Sequence, residues 1–142
     1  MRDMQKSDKK KLRDKIGKLH LEILRLKRGN KCEICGKEGD YIGRFHIIPL
    51  SESLRLEFEP QNILLSHWSE KCQAHYKWHH YGADDKRTDF IKRRIVELRG
   101  TDYRHRLLTI GKFKGKHDLF YLRLLYMTFK QELEKLQTIS DI

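Results

Sequence analysis

Proline occurs only twice in the 142 residues, cysteine three times and tryptophan twice, and no apolar run comes near the roughly 20 residues needed to cross a bilayer. The chain therefore does not read as a membrane-spanning helix. Three cysteines cannot all pair with one another, and the spacing of Cys32 and Cys35 suits a metal better than a structural disulfide, so a reducing compartment is expected. No charged leader followed by an apolar core opens the sequence, which adds to the expectation of a soluble, cytoplasmic protein. Acidic residues are the other shortfall. Against 31 Lys+Arg stand 20 Asp+Glu, for a formal charge of +11 and a pI near 9.7. Such an excess attracts polyanions, because a phosphate backbone releases counterions when lysine and arginine approach it, and nucleic acid is expected ahead of an anionic membrane.

The charge is concentrated at the start. Residues 1–28 hold eleven Lys/Arg against four Asp/Glu, and Leu12, Ile16, Leu19, Ile23 and Leu26 recur at steps of four and three, the spacing of an amphipathic helix ended by Gly29-Asn30. This basic helix is taken as residues 1–30. From Lys31 to Gly82 the helical period vanishes. Short apolar runs (Tyr41-Ile42, Phe45 to Leu50, Ile63 to Leu65) alternate with turn formers such as Gly36 and Glu59-Pro60, as in a loop-rich module with a strand pair. A third region, 83–142, is expected to be helical: Phe90, Ile91, Ile95 and Leu98 fit a helix stopping at Gly100, and Tyr103 to Thr109 a short one. In the last helix, Asp118 is the expected N-cap of a stripe of Leu119, Leu122, Tyr126, Phe129, Leu133 and Leu136. That stripe is expected to pack on the core or to form a homodimer seam.

The middle module contains all three cysteines and five of the eight histidines. With so few large apolar residues it needs a staple, and metal ligation is the available one. Cys32-Glu33-Ile34-Cys35 followed by Gly36 has the spacing of a zinc knuckle, and tetrahedral zinc takes two further ligands. His67 with Cys72, or Cys72 with His75, would complete the set, and spacing does not separate the two. His75 and His79 lie four apart, so on a helix both imidazoles project from one face and share a divalent cation. His46, within Phe45-His46-Ile47-Ile48-Pro49, sits at the end of a strand-like run.

In order, Cys32-x-x-Cys35, His46-Ile47, Leu54-Arg55 with Asn62, Cys72-x-x-His75 and Trp78-His79 resemble the HNH, or ββα-metal, endonucleases. The likeness is to the zinc-stapled phage recombination and prophage type, and it spans Cys32 to His80. It implies an α+β fold in which a small zinc-stapled ββα-metal module is flanked by N- and C-terminal helices. It implies a DNA endonuclease, phage- or prophage-encoded, that hydrolyses phosphodiesters with His46 as general base and Asn62 holding the base or its loop. His75 and His79 would bind one catalytic Mg²⁺ or Mn²⁺, beside a structural Zn²⁺ on Cys32, Cys35, Cys72 and His67, with His75 as the alternative fourth ligand. Lys9, Lys10, Lys11, Arg13 and Arg44 are the expected phosphate contacts. Two positions depart from the family pattern: Phe45 stands where a metal ligand is common, and His67 where a cysteine is expected. The alternative is a zinc-stapled DNA-binding or assembly module without chemistry. A thiol redox role for Cys32 and Cys35 is weaker, since no thioredoxin-like βαβ pattern surrounds them.

Overall fold

The computed structural model describes residues 2–39, 41–68 and 71–140. The chain forms two compact units, one made of residues 1–29 with 115–142 and the other of residues 30–114.

The first unit pairs α1 (Arg2–Arg28) with α5 (Leu119–Ser140). Asp118 caps α5 by accepting a hydrogen bond from Tyr121 N at 2.8 Å, as expected from its position. The α5 stripe buries Leu122 and Leu133, and Phe129 stacks on His20 of α1 with ring centroids 4.9 Å apart. The face expected to serve as core or dimer seam is thus covered by α1 of the same chain. The buried line of α1 differs from the expected one. It runs through Ile16, His20, Ile23 and Leu24, whereas Leu26 is 48% exposed. At about 100° per residue Leu26 falls roughly 100° from the centre of that line, so the heptad-like spacing has drifted off the contact face by the last turn. Lys27 pairs with Glu132 at 2.5 Å, with both side chains partly solvated, so the pair contributes little.

The second unit is α+β. Strands β1 (Ile42–His46) and β2 (Ile63–His67) pair antiparallel, with Ile42 opposite His67 and His46 opposite Ile63. All five residues of β2 are buried, which explains why its Ile63-Leu64-Leu65 run does not alternate with polar residues. The connection between the strands holds short 3₁₀ turns at Leu54–Leu56 and Pro60–Asn62 and returns the chain to start β2. Three helices follow: α2 (Ala74–Tyr81), α3 (Asp89–Arg99) and α4 (Tyr103–Lys112).

The expected boundary at residues 82 and 83 is not a division in the structure, because α3 and α4 belong to the same unit as the sheet. Ile91 and Ile95 of α3 are fully buried, each stabilising the unit by about 2 kcal/mol. Two arginines of α3 complete the attachment. Arg94 Nε donates to the Glu33 carbonyl at 2.8 Å, and Arg99 donates to the carbonyls of Gln61 at 2.8 Å and Ile63 at 3.3 Å. No helix among the described residues is long and apolar enough to cross a membrane.

Candidate metal centre and histidine cavity

The two ends of the β1–β2 ribbon carry different constellations. At the Ile42–His67 end, Cys32, Cys35, His67 and Cys72 bring one ligand atom each to within 4.8 Å of the others. Cys32 Sγ lies 3.7 Å from Cys72 Sγ, and His67 Nδ1 lies 3.4 Å from Cys35 Sγ and 3.5 Å from Cys72 Sγ. A tetrahedron with Zn–S of ~2.3 Å and Zn–N of ~2.0–2.1 Å has edges of ~3.8 Å between sulfurs and ~3.6 Å between sulfur and nitrogen. The cluster fits a structural zinc site of the Cys₃His type. Of the two completions open on spacing, the structure brings in His67, while His75 goes elsewhere.

Local chemistry explains the choice. Gly36, at φ +78°, turns the knuckle so that its N–H donates to the Cys32 carbonyl at 2.8 Å and Cys32 N donates to the Lys37 carbonyl at 3.0 Å. Glu33 N and the Leu65 carbonyl, 2.6 Å apart, tie the knuckle to β2. Pairing opposite Ile42 then carries His67 to the knuckle. Its Nε2–H donates to the Glu38 carbonyl at 3.2 Å, leaving Nδ1 with its lone pair toward the thiols, as a metal-ligating imidazole needs. The Cys32 thiol is drawn down to about 4 by a hydrogen bond from Cys72, opposed by burial and helped by the Cys35 amide, so a thiolate is favoured there. Among the described residues, Lys71 and Gln73, at φ 50° and 54°, are the non-glycine residues in the left-handed region, and they flank Cys72. Such residues cost on the order of 1 kcal/mol each and persist where the surroundings hold them, here a ligand between them.

At the other end, His46, His75 and His79 line one cavity of ≈460 Å³ together with Arg44, Trp68 and the 49–51 turn. The last residue of β1 is His46, which is buried and donates its Nε2–H to the Glu57 carbonyl at 2.9 Å, so its Nδ1 is the nitrogen with the lone pair. Burial lowers its pKa to about 4, with the Arg44 charge adding to the effect, and the ring is neutral at pH 7. Asn62 is fully buried and bridges two segments. Its Oδ1 accepts from Ile48 N at 2.8 Å, while Nδ2 donates to the carbonyls of Ile48 at 3.2 Å and Leu56 at 3.4 Å. It thereby binds the segment after His46 to the turn that supplies the Glu57 carbonyl. Trp78 Nε1 donates to the Ile47 carbonyl at 3.0 Å, fixing α2 to the same segment.

His75 and His79 sit one turn apart on α2, ring centroids 4.7 Å apart. Burial, with the neighbouring His79 and His46, lowers the His75 pKa to about 4, and its Nδ1 is buried without a hydrogen-bond partner. These two imidazoles are the residues that could hold the divalent cation implied by the resemblance. Among the described residues no further set of three metal-type ligands converges. Phe45 is fully buried and packs on this pair, 6.0 Å from each ring centroid. Arg44 lies over Phe58 at 5.4 Å and reaches the Glu57 carbonyl at 3.3 Å. Lys9, Lys10, Lys11 and Arg13 belong to α1, in the other unit.

Sequence reasoning passed over Trp68 and the Glu57 carbonyl, and neither carries a motif signal. Comparison with family models, curated proteins and solved structures finds no match for the chain.

Proposed function

We propose that the protein is an HNH-type DNA endonuclease, the ββα-metal reading of its second unit. The observation that supports it most is the convergence of His46, His75 and His79 on one cavity lined by Arg44, with Asn62 fixing the segment that follows His46. The tautomer set by Glu57 leaves His46 Nδ1 free to accept a proton from water attacking a phosphodiester, and the neutral ring is in the receptive form at pH 7. Arg44 contributes positive charge beside the phosphate. His75 and His79 would hold one Mg²⁺ or Mn²⁺, which when bound offsets charge growing on the phosphate and leaving oxygen. Asn62 is a positioning residue, acting through the backbone on either side of His46 and Glu57. A zinc ion on the Cys₃His cluster would take no part in the chemistry and would hold the knuckle to the sheet.

Supercoiled plasmid incubated with Mg²⁺ or Mn²⁺ tests the reading. His46→Ala is expected to lower nicking by about 10²–10⁴-fold, the usual contribution of a general base, while thermal stability and DNA affinity stay near wild type. Equal nicking by both proteins would remove His46 from the mechanism. DNA binding without nicking by either would identify the non-catalytic module instead, a reading that Phe45 at a common ligand position favours.

A further inference from the structure

Trp68 follows the last residue of β2 directly and lies against His75, ring centroids 3.7 Å apart and planes inclined by 29°. With one face on this imidazole, the side chain is still 53% exposed, an unusual state for the largest apolar residue in the chain. Its neighbour in β1 is a glycine for a visible reason. A Cβ on Gly43 would come within 2.5 Å of Trp68 Nε1 and 3.0 Å of its Cδ1, so any side chain there would displace the indole. The backbone fixes the position further, since Trp68 N donates to the Tyr41 carbonyl at 3.3 Å and Tyr76 N donates to the Trp68 carbonyl at 3.1 Å. Tyr41 and Tyr76, joined to Trp68 by these bonds, are themselves 69% and 47% exposed. Of these aromatics Trp68 lines the histidine cavity, whereas Tyr76 stacks on His80 at 5.1 Å.

We infer that Trp68 is a stacking platform for an unpaired nucleobase next to the phosphate held in the cavity, so that the site takes DNA that is single-stranded at the scissile position. An indole presents a flat π-face that every base can cover, whereas the bases of an intact duplex already have both faces covered by their neighbours. The net charge of +11 and Arg44 in the cavity wall supply attraction for the backbone that carries the base. Trp68 is a specificity residue in this scheme, and His75 beneath it ties the seat of the base to the expected ion-binding pair. The inference rests on the nuclease reading for its scissile phosphate, but its test does not depend on cleavage.

Zinc-replete protein is titrated, without added Mg²⁺ or Mn²⁺, with labelled oligothymidylate and with a fully paired duplex of the same length. Trp68→Ala is expected to weaken single-strand binding about tenfold while leaving duplex binding nearly unchanged, and Trp68→Phe, which keeps a stacking face, to restore most of the loss. Equal losses on both DNAs, no loss, or no rescue by phenylalanine would overturn the proposal. Wild-type emission gives a variant-free check. Trp78 is only 5% exposed, so stacking on Trp68 should quench the exposed indole with oligothymidylate and not with duplex. Equal quenching by the two, or none by either, would also defeat it. Single-strand preference without any nicking would sink the nuclease reading alone, and His46-dependent nicking indifferent to Trp68 would sink this inference alone.

Discussion

The two ends of a five-residue ribbon use the same donor chemistry to opposite purposes. At one end, four ligand atoms close on one another, and the His67 ring has its second nitrogen committed to the Glu38 carbonyl. At the other, the His46 ring is committed to Glu57, the His75 Nδ1 has no partner, and both rings line an open cavity. Closed ligand sets stabilise and open ones leave room for a ligand, so the difference separates the histidine suited to a structural ion from those that the nuclease proposal would use. The decisive feature is the completeness of the shell around each ring, a property of backbone carbonyls far away in sequence.

The sharpest way to break this contrast is to open the closed end. Cys72→Ser, or zinc removal by a chelator, is expected to cost several kcal/mol, up to the ~10 that zinc ligation contributes in small domains, and to unfold the knuckle. Thermal melts with zinc stoichiometry check it, and a zinc-free protein that melts like the holoprotein would deny the site a structural role. At the open end, acid is the probe. Because burial holds the His46 pKa at about 4 in the folded protein against an ordinary value near 6.5, the unfolded chain binds the extra proton first. Acidification should therefore cost the wild type roughly 3 kcal/mol of stability, with nothing lost above about pH 6.5 and most of it lost by about pH 4. His46→Gln, near wild type at pH 7, lacks this loss, so urea unfolding should show the two proteins diverging as pH falls, and parallel curves would contradict the burial argument. The smallest effect concerns neither end. If α1 binds DNA phosphates, replacing Lys9, Lys10 and Lys11 with glutamine should reduce the log–log salt slope of duplex binding by about 0.9 for each phosphate no longer neutralised, and an unchanged slope would exclude that helix.

Much of this was legible in the residues. The α5 stripe and its Asp118 cap, the strand pair and the three zinc cysteines follow from spacing alone. The choice between His67 and His75 did not, because both lie near Cys72 in sequence and only strand register decides which reaches the knuckle. Likewise no pattern marks Arg94 and Arg99, whose partners are backbone carbonyls of Glu33, Gln61 and Ile63 on distant segments. That is why the boundary after residue 82 disappears in the fold. Nor could periodicity reveal the buried His20, a polar residue occupying an apolar line on α1. The pairing of His75 with His79 followed from their spacing, their meeting with His46 was anticipated only through resemblance, and the places of Arg44 and Trp68 in the cavity wall were not anticipated.

The pairing of Ile42 with His67 and of His46 with Ile63 makes the ribbon a ruler. A slip of one residue along it would turn every side chain of the moving strand to the opposite surface. Zinc on the Cys₃His cluster would pin one graduation of that ruler, and the imidazole at the far mark would inherit its aim. On the nuclease proposal, an ion that takes no part in bond breaking would then still govern turnover, as a calibration weight governs a balance it never tips.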